Sequence, residues 1–538
     1  MPRCTASFLA ALGLMLTACS APPFAPPAVV EEAPVQAEWK VLPVSTDPPR
    51  PPHRQRELEP IEPQHNAVPQ HVLPQPTPGG TIDVAPLVGS ELHLDDVLLS
   101  VYAGYPMLQA ALQQRRVAEG RLLEASGQFD LKLKGGGTSG PLGFYRTQRF
   151  GAGLEQALFG GGQVFAGYRI GRGNFQPWYG ERETNDGGEF KAGFLIPLLQ
   201  NRRIDARRAA LFRAALGRDA VEPEILAQMI DFVRASSYAY WDWVAAGKSV
   251  EIERALLEIA TQRQEGLRKR VQRGDLSPIE LTDNERLIAS RQASLIDARR
   301  KFRQSAIKLS LFVRTRNGQP WLPPEELLPA AFPPIRPYDE QRLAADIETA
   351  IAARPEMLYL DFLRQQLEVD LAAARNLYLP DLSVGAVASK DVGAPASKKG
   401  DKTPFELEAT LLVSMPLQRR KALGKIQATE GKLTQVRLKT RFARDKIVTD
   451  VQAAVAALRA AYDRIAQAQT SVQLNRRMEE AERTRFEAGD SNLLLVNLRE
   501  KATADARKTL VRAQLEYFQA EADLRAALGN IPIPETRP

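Results

Sequence analysis

Two stretches of the chain have the hydrophobic spacing of long helices, and a short turn signal stands before each. From Leu498 to Ala527 apolar residues recur in steps of three and four, which draws one stripe along a helix. From Leu281 to Leu309 they recur at a constant step of seven, the spacing of a coiled-coil seam. The turn signals are Gly274-Asp275 and Gly489-Asp490-Ser491. Glycine can adopt the positive φ that ends a helix and Asp or Ser can cap the next one, so the pattern predicts two helical hairpins.

The two hairpins belong to two copies of one larger unit. Each copy opens with a short helical pattern around a proline, Pro106 in the first and Pro355 in the second, and the first of these patterns predicts one helix over 94–126. Each copy then has an apolar step that ends in Pro197 or Pro416, before the long helix. From this proline to the turn glycine the chain runs 77 residues in the first copy and 73 in the second. An ordered set of elements that repeats is stronger fold evidence than any local motif.

Between the opening helix and the long helix of each copy the hydrophobic period changes to two, which predicts strands. The first copy has 91 residues between its two prolines and the second only 61, so an extra hairpin in the first copy is expected. Whether the first copy adds two or four strands to a common sheet stays open, because the extra pair could instead form a surface loop. The predicted strands lie near residues 129–133, 150–159, 164–170 and 190–197 in the first copy and 382–388 and 405–413 in the second.

The N-terminus has the features of an export signal. Residues 1–19 combine Arg3, an apolar core and the sequence Leu16-Thr17-Ala18-Cys19, which predicts a signal peptide with acylation of Cys19, for example by palmitate. A plain signal peptide with an incidental cysteine is the alternative. Residues 21–80 hold 16 prolines and little apolar periodicity, which predicts an extended tether. The expected organisation is 1–19 signal peptide, 20–90 tether, 91–316 first repeat, 317–340 linker, 341–530 second repeat and 531–538 tail.

The distribution of cysteine and histidine excludes several kinds of catalytic and metal site from most of the chain. The only cysteines are Cys4 and Cys19, and all four histidines precede residue 94. Sites built on Cys or His are therefore excluded from residue 94 onward, and we predict no catalytic residue, no metal and no cofactor. The net charge of +7 is spread along the helices, which favours solvated faces over nucleic-acid binding.

The expected fold class is mostly α with β: long coiled-coil hairpins in two tandem repeats plus transmembrane strands. A helical arm of about 75 residues spans roughly 110 Å. Strands with one apolar face need a closed sheet in lipid, and one chain supplies too few of them for a useful pore. Several chains would therefore close one β-barrel, continuous with a tube of helices.

The chain resembles the TolC family of outer-membrane efflux proteins over about residues 90–530. The match rests on the doubled unit, on Leu379-Pro380 before a strand, and on Arg485-Phe486-Glu487-Ala488-Gly489 followed by Leu493-Leu494-Leu495-Val496. The resemblance implies a homotrimer that spans the outer membrane as a β-barrel, with its helical tunnel in the periplasm. It also implies docking to a periplasmic adaptor (membrane fusion protein) and an inner-membrane pump, for efflux or type I secretion, without a cofactor.

Some family members place aspartates at the periplasmic entrance, six and nine residues after the turn glycine of the second copy. Those positions hold Leu495 and Leu498 here, whereas the same offsets in the first copy give Glu280 and Asp283. We expect Glu280 and Asp283, with Asn497 nearby, to line the entrance; the alternative is that they are ordinary charged helix positions.

The turns at Gly274-Asp275 and Gly489-Asp490 are the expected adaptor contacts, because they lie at the far end of the helical tube. Two other functions fit parts of the same pattern: a periplasmic adaptor and a lipid-anchored coiled-coil scaffold of the envelope.

Overall fold

The computed structural model describes residues 91–176, 183–315, 317–396 and 405–531. The predicted signal peptide with Cys19, the tether and most of the C-terminal tail lie outside the described residues, as do parts of two strand-connecting loops.

Eight α-helices in the described part follow the repeat. Pro106 and Pro355 each begin a helix, and the residue before each proline is extended, with ψ 117° at Tyr105 and ψ 124° at Arg354. The prediction of a single helix over 94–126 was therefore wrong, because a residue that precedes proline is driven out of the helical region. The helices are α1 Leu94–Gly104, α2 Pro106–Ser126, α3 Ala206–Gln272, α4 Pro278–Leu309, α5 Leu343–Ala353, α6 Pro355–Asn376, α7 Arg420–Glu487 and α8 Leu493–Ala527.

The long helices α3 and α7 have 67 and 68 residues, which is roughly 100 Å each. α3 begins at Ala206, nine residues after Pro197, the proline that precedes the long helix in the sequence pattern. The intervening segment turns through Asn201, whose φ is +64°, and ends at Asp205. The Asp205 carboxylate caps α3 by accepting a hydrogen bond from the Arg208 N–H at 2.8 Å.

Both predicted hairpins are present and end in the same hydrogen-bonded turn. The glycines that follow α3 and α7 have φ of +80° at Gly274 and +88° at Gly489. In each turn the N–H of the next aspartate reaches back five positions, from Asp275 to the Arg270 carbonyl at 2.9 Å and from Asp490 to the Arg485 carbonyl at 2.8 Å. This is the Schellman arrangement, in which glycine avoids the steric cost of the left-handed conformation. α4 and α8 then return along their partners.

Helix packing places the core near the middle of α3 and α7, where the ends of α4 and α8 that lie far from the turns pack against them. In the seven-residue seam of α4, Leu295, Phe302 and Leu309 are buried, whereas Leu281 and Ile288 near the turn are half-buried. The rings of Trp241 and Phe518 stack at 4.1 Å and join α3 to α8. Phe332 of the segment between the repeats stacks on Phe518 at 5.8 Å, so that segment covers the core.

The six strands form one antiparallel sheet in the order β1-β2-β3-β4-β5-β6. The first repeat supplies four strands and the second two, and β4 pairs with β5 to join the repeats, which answers the question that the sequence left open. The strands are β1 Lys132–Gly140, β2 Thr147–Ala157, β3 Gln163–Gly173, β4 Glu189–Pro197, β5 Asp381–Asp391 and β6 Glu406–Ser414.

Candidate functional site

The sheet has one apolar face and one charged face, and the apolar face is the more exposed of the two. Phe150, Phe190 and Leu407 on the apolar face are 55%, 56% and 69% exposed, whereas Glu189 and Ser389 on the charged face are 2% and 8% exposed. An antiparallel sheet of a water-soluble protein shows the opposite arrangement, with its apolar face buried. A sheet with this polarity suits an apolar solvent on one side and water on the other.

The strand register carries this separation across the whole sheet. Partners in register share a face, so the separation can be followed along rows that cross all six strands. One row on the apolar face consists of Leu133, Leu154, Ala166, Ala192, Ala388 and Leu407. The adjacent row on the charged face consists of Lys134, Gly153, Gly167, Lys191, Ser389 and Glu406.

Charges of both signs meet on the charged face. Glu189 forms ion pairs with Arg169 and with Lys191, the latter at 3.5 Å. Lys134 forms an ion pair with Glu155 at 2.5 Å, between β1 and β2. These pairs satisfy carboxylates that would be costly to bury without a partner.

The tight turn between β2 and β3 packs against the start of α3. Arg208 is buried and donates to the carbonyls of Asn201 at 2.6 Å and Arg202 at 3.1 Å beneath this turn. Gly162 in the turn has φ of +87°, and a Cβ there would lie 2.3 Å from the Leu195 carbonyl oxygen. Only glycine fits this position, so the turn packs directly against β4.

The two hairpin turns lie side by side at the opposite end of the long helices. The Arg270 guanidinium in the last turn of α3 lies 5.6 Å from the centre of the Phe486 ring in the last turn of α7. Gly274, Asp275, Gly489 and Asp490 are all exposed. Ile279 and Leu494, each five residues after its turn glycine, are 66% and 68% exposed. The paired turns therefore present a surface with two exposed apolar side chains.

The predicted entrance residues fall in different environments. Glu280 is half-buried in the first turn of α4, and Asp283 pairs with Arg286 of the same helix at 2.8 Å. Asn497 is 9% exposed and accepts a hydrogen bond from Arg263 at 2.6 Å. Among the described side chains, none of these three hydrogen-bonds to another of the three.

Sequence reasoning missed a buried ionic group next to Asn497, which we call the Glu500 cluster: Glu500, Arg263, Arg291 and Asn497. Glu500 is 1% exposed and forms ion pairs with Arg263 and, at 2.8 Å, with Arg291. Arg291 also donates to the Leu256 carbonyl at 2.6 Å. The cluster joins α8 of the second repeat to α3 and α4 of the first.

Burial dominates the electrostatics of the cluster. It lowers the pKa of Arg263, whereas the attraction of the Glu500 carboxylate raises it.

The sequence did carry a signal for this cluster: Leu493, Val496, Asn497, Glu500 and Ala504 are spaced by three and four and share the buried face of α8. Polar residues in the middle of a buried stripe mark a specific interaction. We predicted that the apolar stripe of α8 starts at Leu498, and this start was wrong because Leu498 is 56% exposed.

Two features are absent from the described residues. No group of three or more His, Cys, Asp or Glu side chains in those ranges is arranged to hold a metal ion. No helix in the same ranges combines the length and hydrophobicity needed to cross a membrane.

Comparison with known proteins supports the resemblance noted in the sequence. The sequence model of the outer membrane efflux protein family matches residues 347–530. Curated protein sequences gave no significant match.

The fold is shared with solved outer-membrane channels. The Campylobacter jejuni CmeC outer membrane channel is 14% identical with a TM-score of 0.59, covering 81% of this chain and 85% of that one. The Vibrio cholerae outer membrane protein VceC is 15% identical with a TM-score of 0.58, covering 81% and 96%. CusC, studied for folding and transmembrane channel formation, is 14% identical with a TM-score of 0.58, covering 82% and 93%. These likenesses confirm the expected fold class.

Proposed function

We propose that this chain, which over residues 347–530 belongs to the outer membrane efflux protein family, is the outer-membrane channel of a tripartite efflux or type I secretion system. Three copies would form one conduit, with the sheets in the outer membrane and the hairpins extending into the periplasm. The observation that carries the proposal is the polarity of the inner strands β2 to β5, in which apolar side chains such as Phe150 and Phe190 are exposed on one face while Glu189 on the other face is buried. The adaptor and scaffold alternatives give no account of that polarity.

The channel does no chemistry of its own in this account. The matched family is one of efflux channels, and the energy for transport would come from an inner-membrane pump. The charged face of the sheet, with its ion pairs between Glu189 and both Arg169 and Lys191, would line an aqueous pore.

The paired turns are the proposed docking surface for a periplasmic adaptor. They are exposed at the end of both long hairpins, and Ile279 and Leu494 offer apolar side chains for helix-to-helix contact. A copurification assay with the cognate adaptor, crosslinked in cells, tests this role. Leu494→Glu should abolish capture, whereas Leu474→Glu, at another exposed leucine farther up α7, should leave it intact. Equal capture of the two variants would contradict the docking role.

We propose that Glu280 and Asp283 line the periplasmic entrance. Three copies of each carboxylate in a narrow opening would attract cations and repel anions. In planar bilayers, the double variant Glu280→Gln/Asp283→Asn should lose cation preference. A matched control is Glu285→Gln, an exposed position on the same helix. Unchanged ion selectivity of the double variant would refute this placement.

Lipid anchoring at Cys19 supplies the last part of the proposal. Mass spectrometry of the mature N-terminus should find an acylated Cys19, and Cys19→Ala should remove the acyl chains. A mature chain that begins at another residue would contradict it.

Release of trapped dyes from liposomes tests the conduit as a whole. Vesicles that contain the purified protein should release a small fluorescent dye and retain a large dextran. Retention of both probes by vesicles with correctly inserted protein would contradict a channel.

A further inference from the structure

We propose that five lysines on the first part of α7, which we call the lysine ladder, line the conduit next to the sheet and receive anionic cargo: Lys421, Lys425, Lys432, Lys439 and Lys446. The chemical class is a solute that carries several carboxylate, phosphate or sulfate groups. The proposal rests on the trimeric channel proposed above and names the class of solute that its tunnel favours.

The ladder is defined by the spacing of lysine along α7. From Lys425 to Lys446 the lysines recur at a constant step of seven, and Lys421 stands four residues before them. Seven residues are close to two helical turns, so these side chains lie along one side of the helix. At 1.5 Å per residue the ladder is roughly 37 Å long. Residues 420–446 hold nine lysines and arginines and only two carboxylates, so the stretch is strongly positive.

The lysines of the ladder do not hold the helices together. All five are exposed, and among the described residues none of them takes part in an ion pair or a side-chain hydrogen bond. They flank the buried seam of Ala422, Thr429 and Val436, where charges commonly pair with the partner helix. Glu430 on the same stretch pairs instead with Arg375 of α6 at 3.4 Å. The ladder is therefore a row of cations available to a mobile anion.

One face of the helical layer, which we call the covered face, carries further parts of the chain. Phe332 of the segment between the repeats stacks on Phe518 of α8. Glu340, just before α5, pairs with Arg459 of α7 at 2.6 Å. Four long helices from each of three copies, at about 8–10 Å spacing, form a tube roughly 30–38 Å across its helix axes. A further layer of chain about 10 Å thick on the inside would close the bore, so the covered face lies outside.

The lysine ladder lies on the opposite face. Glu516 is two residues from Phe518, which is about 200° around α8, and it pairs with Arg464 of α7 on the side away from the covered face. Lys446 precedes Arg464 by 18 residues, or about five complete turns, so both lie on one side of α7. The ladder therefore faces the lumen of the conduit.

Two carboxylates of α3 share the lumen face. Glu224 and Asp231 are exposed and precede Tyr238 at a constant step of seven. The Tyr238 hydroxyl donates to Asp523 at 2.7 Å, and Asp523 lies seven residues after Glu516 on the lumen side of α8. The lumen therefore carries charges of both signs, and their heights decide where one sign is in excess.

Positive charge is in excess next to the sheet. The two carboxylates are 18 and 25 residues from the start of α3, and Lys439 and Lys446 are 19 and 26 residues from the start of α7, so these charges lie at equal heights. Nearer the sheet, the same face of α3 carries Arg213, 18 residues before Asp231. Arg213 pairs with Asp370 of α6 at 3.1 Å, which leaves that pair neutral. The three lysines of the ladder that lie closest to the sheet are therefore not balanced by α3 or α6.

Regularly spaced lysines suit passage better than tight binding. The lysine ammonium is a hydrated point charge on a flexible stem, and several cations in an enclosed space raise the local concentration of anions. Successive weak sites roughly 10 Å apart let a multivalent anion move from one to the next, since conduction requires release as well as binding. Lys446 lies 43 residues before Gly489, or roughly 65 Å. That distance far exceeds the Debye length of about 8–10 Å, so the ladder and the proposed entrance carboxylates act separately.

A reporter cysteine tests which face lines the lumen. Ala428 is exposed and lies three residues after Lys425 and four before Lys432, on the side of the ladder. Arg437 lies on the covered face, 22 residues or about six turns before Arg459. A polyethylene-glycol maleimide attached to Ala428→Cys should lower the single-channel conductance, whereas the same label on Arg437→Cys should leave it unchanged. Treated wild type is the blank, and a reversed or equal effect of the two labels would overturn the lumen position.

Block by a polyanion tests the charge of the ladder. Inositol hexakisphosphate added from the sheet end of the channel should block the wild type in planar bilayers. In Lys425→Gln/Lys432→Gln the half-blocking concentration should rise about tenfold, because the screened attraction of two cations per copy is lost. The matched control Arg437→Gln/Arg444→Gln removes the same charge from the covered face and should keep the wild-type block. Absence of block in the wild type, or an equal shift in both double variants, would overturn the proposal.

The outcomes separate the ladder from the channel itself. A wild-type protein that forms no oligomer and gives no conductance steps would defeat both proposals. A conducting trimer whose block by inositol hexakisphosphate is the same in Lys425→Gln/Lys432→Gln as in the wild type would defeat only the ladder.

Discussion

Replacing Glu500 with glutamine tests whether the buried Glu500 cluster holds the two repeats together near the turns. The change keeps the volume of the side chain and removes its charge, so Arg263 and Arg291 remain buried without their carboxylate. Breaking a buried ion pair on one side costs about 3–5 kcal/mol. Since about 1.4 kcal/mol corresponds to a factor of ten, local opening near the cluster should increase by roughly two to four powers of ten.

Hydrogen exchange measured by mass spectrometry resolves this effect along α8. Peptides from the first turns of α8 should exchange much faster in Glu500→Gln, while peptides around Phe518 in the aromatic core should not change. Glu516→Gln is the matched control on the same helix, because Glu516 and its partner Arg464 are both partly exposed. An exposed pair of this kind contributes less than about 1 kcal/mol.

An apolar replacement of the whole cluster separates charge from packing. Arg263→Met/Arg291→Met/Glu500→Leu should restore most of the protection, because no buried charge is left unpaired. Exchange in Glu500→Gln that matches the wild type near Asn497 would refute the reasoning.

Three further predictions follow from single positions. Gly162→Ala should prevent assembly of the SDS-resistant oligomer, since its Cβ would lie 2.3 Å from the Leu195 carbonyl oxygen, while Gly160→Ala, with open space around it, should assemble normally on the same gel. Gly489→Ala should destabilise the turn by about 1–2 kcal/mol through its positive φ alone, measured as faster exchange of the turn amides without loss of the oligomer. Burial raises the pKa of Asp242, so the folded state holds the carboxyl proton more tightly than the unfolded state does. The free energy of unfolding therefore falls as the pH rises from about 3.9, the value of a free aspartate, through the raised pKa of the folded state. In thermal melts Asp242→Asn should therefore be more stable than the wild type at pH 7 and lose that advantage below about pH 3.9; a constant difference at all pH values would contradict this.

The repeated order of elements could be predicted from the sequence because it depends on local signals. Proline and glycine positions fixed the two hairpin turns, and the change of hydrophobic period from 3.5 or 3.6 to two located five of the six strands. The first strand, predicted near residues 129–133, was misplaced: Gly127–Phe129 form a 3-10 turn and β1 extends from Lys132 to Gly140, through glycines that carry no hydrophobic pattern. The break between α1 and α2 was missed although its signal, Pro106, was in view, because the extended conformation belongs to the residue before the proline.

Interactions between the repeats could not be predicted in the same way. Glu500 meets Arg263 and Arg291 only because α8 packs on α3, and those residues are more than 200 positions apart in the chain. Hydrophobic periodicity identifies apolar stripes, so it does not identify a buried helix face that carries the polar residues Asn497 and Glu500. The pairing of β4 with β5 is likewise a property of the assembled sheet.

Planar-bilayer conductance of the detergent-purified protein, with its mass determined beforehand, tests the central claim most directly. The account predicts discrete conductance steps from a species of three chains, and loss of those steps in Gly162→Ala. A lipid-tethered species of any mass that gives no steps after insertion would contradict the channel and return the adaptor and scaffold functions to consideration.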